Sequence, residues 1–320
     1  MARPGFRLAV FATLLALLVV LLGAYTRLTH AGLGCPDWPG CYGFISVPKT
    51  DAQLAHAELH FPEHPVEEAK GWAEMVHRYF AGTLALVIAL LALQAVRRHA
   101  RDGQPYRLPV LLLLSLRLSR AFAPLPKLPL SLRRIAALAL LVVIGQIALG
   151  GWVSANYAAV ACIDLPTCHG QWWPAADFSN GFHLTQHVGP NYLGGQLDSD
   201  ARTAIHISHR LGALLVTCVL LMLSWKLYRC GLQGLARLVL CALALQVGLG
   251  ISNVVFQLPL AVAVAHNAGG ALLLLSMVLV NYRIRVVDKV RMGVGQGWRL
   301  RPVAGVAISQ HMRNGSWRRF

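Results

Sequence analysis

Six stretches of the chain are almost wholly apolar, and the sequence between them turns abruptly polar. Leu8 to Thr26, Met75 to Val96, Ile135 to Val153, Ala204 to Leu227 and Leu235 to Phe256 match the roughly 20 residues a helix needs to cross hydrocarbon, and a sixth run extends from Ala261 to Asn281. A shorter segment, Leu108 to Leu116, is about half that length and leads into Arg117 and three prolines. The pattern predicts an all-α, polytopic membrane helix bundle with about six full spans. The first run follows Arg3 and Arg7, but it is too long for a signal peptide and no small-residue cleavage site follows it, so it reads as a retained span.

Composition strengthens this reading. Hydrophobic residues make up 56% of the 320 and charged residues 13%, far from the balance of a soluble domain. The formal charge of +16 would suggest nucleic acid in a soluble chain. Here the basic residues lie between apolar runs, as the positive-inside bias requires, and no nucleic-acid partner is implied. Arg97 to Arg134 carry nine of them between the second and third runs, and Lys226, Arg229 and Arg237 lie between the fourth and fifth. Those segments are expected to be cytoplasmic, with both termini, in a bacterial inner membrane; a mitochondrial inner membrane is the alternative. The long loops 27–74 and 154–203 then face outward. The chain shows no Walker motif, no Rossmann glycine pattern and no soluble domain.

Both outward loops carry one signature: "THAGLGCPDWPGCYG" at Thr29 and "VACIDLPTCHG" at Val160. Cys35 and Cys41, and Cys162 and Cys168, close small loops of equal spacing, each with an acid and a proline inside. Disulfides suit this geometry and an oxidising compartment; four unpaired thiols are the alternative. Cys218, Cys230 and Cys241 read as packing residues.

The repeat continues beyond the cysteines. Aligning "EMVHR" with "HISHR" pairs Glu74 with His206, His77 with His209 and Arg78 with Arg210, and brings Gly82 close to Gly212. The chain therefore reads as two related halves. His77, His209 and His266 enter their spans at similar depth. A histidine at a span end can be an interfacial residue or a satisfied hydrogen bonder. Imidazoles at one depth on different helices of a bundle also suit axial ligation of a haem. Gly212, Gly269 and Gly270 would let a flat macrocycle approach the backbone. Arg78 and Arg210 could pair with haem propionates or anchor the interface. "HAELHFPEH" spaces His56, His60 and His64 by four, but Pro62 interrupts the helix that a metal face would need; His183 and His187 repeat the spacing in a Gly- and Asn-rich loop.

In this order, "RLTHAGLGCPDWPGC", "EMVHR", "GGWVSANYAAVACIDLPTC", "IHISHR" and "AHNAGG" resemble the haem A synthase family of cytochrome oxidase assembly, from about Leu8 to Asn281. The resemblance implies two four-helix halves and oxidation of a methyl group of haem O to a formyl group, in successive monooxygenation steps. It implies haem O as substrate in the first half and haem b in the second, with His209 and His266 as haem b ligands and His77 as a ligand in the substrate half. Glu74 stands where the family has its catalytic glutamate, three residues before that ligand and on the same helix face, as a proton relay; hydrogen bonding to loop backbone is its structural alternative. Implied partners are the enzyme supplying haem O, a ferredoxin-like electron donor, membrane lipid and further copies of the chain.

One departure stands out. His209 and His266 are 57 positions apart, so a partner for His77 belongs near position 134, which is Arg. No histidine occurs between His99 and His169. A hairpin of roughly 40 residues, two spans' worth, is absent from the first half, and its removal preserves the orientation of everything downstream. The expected units are residues 1–134, a shortened substrate-haem half; 135–284, a complete four-helix haem b half; and 285–320, a basic cytoplasmic tail. Two other classes remain open: a haem b-binding electron carrier or inactive family member without oxygenase activity, and a thiol oxidoreductase using the outward cysteine pairs.

Overall fold

Hydrocarbon offers the backbone no hydrogen-bond partner, so an apolar run must satisfy its own amides and carbonyls by winding into a helix. The computed structural model, which describes residues 6–102, 128–183 and 196–295, follows that rule throughout. Its helices are α1 (Phe6–Leu28), α2 (Asp51–His60), α3 (Glu68–Asp102), α4 (Leu130–Ala155), α5 (Phe178–Gly181), α6 (Ser199–Arg229), α7 (Gln233–Val255) and α8 (Leu260–Gly295). Six of them, α1, α3, α4, α6, α7 and α8, are long and apolar enough to cross a membrane. Among the described residues there is no sheet, only two isolated bridges in the outer loops. The short segment from Leu108, His187 and the tail beyond Gly295 lie outside the described residues.

Helix starts differ from the edges of the apolar runs. Asp198 caps α6 by accepting from the Ala201 amide, and Asp200 lies in its first turn, where acidic side chains offset the exposed amides. Glu68 does the same in α3. These polar first turns carry both helices upstream of Met75 and Ala204, so Glu74, His77, His206 and His209 sit well inside helices. At the other end α8 continues past Asn281 to Gly295, so the segment expected to open the tail at residue 285 begins as helix. No proline interrupts it.

The last four long helices form a closed ring in which α4 packs on α6, α6 on α7, α7 on α8 and α8 on α4. Its core is a stack of Leu132, Ala136 and Val143 from α4, Leu220 and Leu223 from α6, Val239 from α7, and Met277 and Val280 from α8. The Asn281 amide donates to the Ala136 carbonyl at 2.7 Å and to the Met277 carbonyl at 3.0 Å, tying α8 to α4 inside this core. Among the described residues of the first half, α1 packs against α3 around a small core of Ala12, Leu15, Val87 and Leu91. Helix α1 leans on α8, so α8 closes the second unit and also supports the first. Cys218 and Cys241 are exposed on the bundle surface, not packed within it as the sequence suggests, while Cys230 lies partly buried against the core.

The two cysteine loops share one build. Disulfides join Cys35 to Cys41 and Cys162 to Cys168. Within each ring an aspartate caps the backbone just beyond it: Asp37 accepts from Tyr42 and Gly43, and Asp164 from His169 and Gly170. His30 and Tyr157, each five residues before the first cysteine, stack on one another with centroids 5.6 Å apart. Equivalent residues meet only near an axis relating the two halves, so the repeat is spatial as well as sequential. Arg27 crosses the same boundary, donating to the Tyr157 hydroxyl at 2.9 Å and to the Ser154 and Ala155 carbonyls.

Replacing Asn281 with Leu removes the polar tie between α8 and α4. The expected loss is about 1 kcal/mol, the usual scale for an interhelical hydrogen bond in a membrane, read as a lower midpoint in detergent denaturation; an unchanged midpoint would remove the bond from the packing account.

Candidate functional site

Beside the Cys35–Cys41 loop the first half holds a cavity of about 330 Å3 lined by Gly23, Thr26, Arg27, Gly32, Trp38, Glu74, His77 and Arg78. Three of these, Glu74, His77 and Arg78, are residues that sequence repetition singled out, and helix α3 brings them to one place. Glu74 is 8% exposed. Its Oε1 meets the Arg78 guanidinium at 2.6 Å, and its Oε2 accepts from the Cys35 amide at 3.0 Å. Arg78 also donates to the Asp37 and Gly40 carbonyls. The disulfide loop is thus bound to α3 through a carboxylate and a guanidinium, and both groups keep a side on the cavity. His77 lies across α1 at Gly23, where a Cβ would come within 3.1 Å of Nε2. Glycine spares the ring that tight approach.

The second half repeats this scheme with different groups. His206, the counterpart of Glu74, bonds through Nδ1 to the Ala158 carbonyl at 2.9 Å. Arg210 donates to the carbonyls of Cys162, Asp164 and Thr167. Both arginines therefore anchor outer loops, the alternative to propionate pairing, although Arg210 Nε is buried without a partner.

Helices α6 and α8 each pack on α4 and α7 and so stand on opposite corners of the ring. They bring His209 and His266 within electrostatic reach of one another. His209 rests on Gly150 of α4, where a Cβ would come within 3.1 Å of Cε1, and His266 rests on Gly250 of α7, within 3.2 Å. Four residues before each glycine is a glutamine. Gln146 Nε2 lies 3.0 Å from His209 Nδ1 and donates to the His209 carbonyl at 2.9 Å; Gln246 Nε2 lies 3.4 Å from His266 Nε2. The glycines expected to face a macrocycle serve these glutamines instead. A Cβ on Gly212 would stand 2.2 Å from Gln146 Oε1, and one on Gly269 would stand 2.3 Å from Gln246 Oε1. Sequence reading missed both glutamines, yet each is a polar residue inside a span, which ordinarily marks function.

The second half fits a haem by its donor set: two neutral-capable imidazoles on diagonal helices, each with one nitrogen at a glutamine amide. The other nitrogen of His266, Nδ1, is buried without a partner, as are Gln146 Oε1 and Gln246 Oε1. Orphaned donors and acceptors beside paired imidazoles are what an axially ligated group would engage. Elsewhere, His56 stacks on His60 at the end of α2, but the helix stops before His64; among the described residues no three His, Cys, Asp or Glu side chains gather to hold a lone metal ion.

Asp164 shows how firmly the outer loops are set. The Thr167 hydroxyl, followed by the Gly170 amide, holds its carboxyl down to about 2, against about 3.9 in an unfolded chain. A depressed value stabilises the folded loop above pH about 4, and that contribution fades as pH falls toward 2. Amide exchange at His169 and Gly170 is expected to accelerate over this window in the natural chain and to show no such step in Asp164→Asn; identical profiles would sink the assignment.

The COX15-CtaA family model, described as cytochrome oxidase assembly protein, matches residues 6–118 and 106–278, two stretches that meet at 106–118. A haem A synthase of Shewanella oneidensis is 41% identical over 307 residues, covering 83% of this chain and 92% of that protein. A haem A synthase of Chelativorans sp. is 26% identical over 333 residues, covering 86% and 88%. A third, from Geobacillus kaustophilus, is 31% identical over 94 residues, 29% of this chain. In the Shewanella alignment, 83% of 320 residues is about 266, so about 41 of the 307 aligned positions face no residue of this chain. That is the length of the hairpin expected to be absent.

Proposed function

The chain belongs to the COX15-CtaA family of cytochrome oxidase assembly proteins, and from that premise we propose that it is a haem A synthase, oxidising one methyl group of haem O to the formyl group of haem A for terminal oxidases. The 41% identity to a haem A synthase across most of both chains carries this reading. Each monooxygenation inserts one oxygen atom from O2 and releases the other as water, consuming two electrons and two protons.

The cavity of the first half receives haem O, with His77 as the side chain that meets its iron. Glu74 is the catalytic residue. Its carboxylate borders the cavity and is held by two donors, Arg78 and the Cys35 amide, which fix the oxygens so that protons pass through a defined point. Arg78 is the cation available to a propionate there; Arg210 has the same role by repetition. His209 and His266 hold haem b, which supplies one-electron transfer. The stacked pair His30 and Tyr157, with Arg27 across it, keeps the two halves in fixed register. The two disulfides are structural and shape the outer rim of each half. Electrons come from a ferredoxin-like donor and haem O from the membrane enzyme that makes it, within a bacterial inner membrane with both termini cytoplasmic, the chain assembling with further copies of itself.

Protein purified in detergent from cells supplying haem O is expected to contain haem A together with about one haem b per chain, measured by pyridine haemochrome and chromatography. Haem b with unconverted haem O would instead make the chain an electron carrier or assembly scaffold, the reading favoured by the absence of a histidine near position 134 to partner His77. Glu74→Gln is expected to lower conversion by about 100-fold or more, the scale of a lost proton relay, with haem b content unchanged; equal conversion would remove Glu74 from the chemistry. Cys35→Ser is expected to lower stability and leave the reaction's requirement for haem O and O2 intact, whereas a thiol oxidoreductase would lose its activity outright.

A further inference from the structure

The three histidines are seated alike and braced differently. Each lies against a helix glycine, Gly23, Gly150 or Gly250, that leaves space for the ring. For His209 and His266, a glutamine one turn before that glycine reaches the imidazole, and a glycine three residues after the histidine, Gly212 or Gly269, makes room for the amide. The first half keeps the seat and lacks the brace. One turn before Gly23 stands Val19, and three residues after His77 stands Phe80, so neither the amide nor the space for it is present.

We propose that Gln146 and Gln246 are positioning residues that fix and polarise His209 and His266 for a permanently held haem, and that the missing brace at His77 makes the first site an exchanging one. The inference rests on the reading of the second half as the haem b site. An amide suits the task because it offers both a donor and an acceptor to the ring. A histidine that binds iron through one nitrogen carries its proton on the other, and that proton needs an acceptor. Gln146 Oε1 and Gln246 Oε1 are buried and unpartnered within reach of their rings; rotation of the amide presents that oxygen to the ring proton. The brace limits rotation of the imidazole and raises its basicity, and both effects slow loss of the bound group. His77 has no such amide among the described residues and gains neither. A site that must take up haem O and release haem A each cycle works better with a ligand that lets go.

Gly212→Ala and Gly269→Ala test this without touching a histidine or a glutamine. The new Cβ would collide only with the far end of a flexible side chain, so the helices can stay in place while the amide is driven off the ring. Both variants, and Gln146→Leu and Gln246→Leu with them, are expected to lose haem b about 10-fold or more faster to an apo-globin acceptor, the scale of an outer-partner effect, with a shifted haem b midpoint potential and low-spin signal. Gln146→Glu, which retains an acceptor, is expected to restore retention. Conversely, Val19→Gln with Phe80→Gly is expected to slow release of haem from the first site. Unchanged haem b retention, potential and spectrum in all four disrupting variants would overturn the proposal, as would unaltered release from the double variant. His209→Ala and His266→Ala separate the two layers: if these retain haem b as well, the haem b reading itself fails, whereas if they lose it while the glutamine variants do not, only the brace fails.

Discussion

Inside a bilayer each polar side chain must find its partner on a neighbouring helix, because no water is there to supply one. That constraint explains more of this structure than any single contact. His77, His209 and His266 are each set against the glycine of an adjacent helix, and where a glutamine accompanies that glycine, the ring and the amide answer one another's polarity. Glu74 meets the same need differently, through Arg78 on its own helix and an amide of the outer loop. The chemistry proposed for the chain grows from these pairs, in which Gln146 Oε1, Gln246 Oε1 and His266 Nδ1 remain buried without a partner.

The repeat organises those pairs. Counterparts separated by 127 positions, such as Gly23 and Gly150 or His30 and Tyr157, occupy matching places, and some of them touch across the boundary between halves. Among the described residues one half is a closed ring of four helices, and the other shows α1 packed on α3 and leaning on α8. A helical hairpin can be lost from such a design without inverting the downstream helices, since two crossings disappear together. The relatives' alignment carries a deficit of the same size. The first half keeps Glu74, Arg78 and His77 around a cavity, while the four-helix ring keeps the pair His209 and His266.

Much of this was legible in the chain. The six apolar runs and the repeated cysteine loops follow from spacing and hydropathy, and the structure has six long apolar helices and both disulfides. What escaped was tertiary. Gly212 and Gly269 look like contact points for a flat ligand, since a sequence cannot show that Gln146 and Gln246 point from the next helix into the space they leave. Arg78 and Arg210 look like partners for an anion, since the loop carbonyls that they bind are 38 to 48 residues away in sequence. Helix starts shifted because polar first turns with aspartate or glutamate continue a helix past the membrane edge, which hydropathy alone reads as loop.

The sharpest measurement is the ligation state of each haem in the intact chain, read by low-temperature electron paramagnetic resonance after loading with haem O. If His209 and His266 hold haem b and His77 meets haem O, as proposed, the spectrum contains one low-spin haem with two imidazole ligands, lost in His209→Ala, beside a second haem whose imidazole comes from His77. Two bis-imidazole haems, or a low-spin signal that survives loss of His209 and disappears with His77, would contradict this division of the chain.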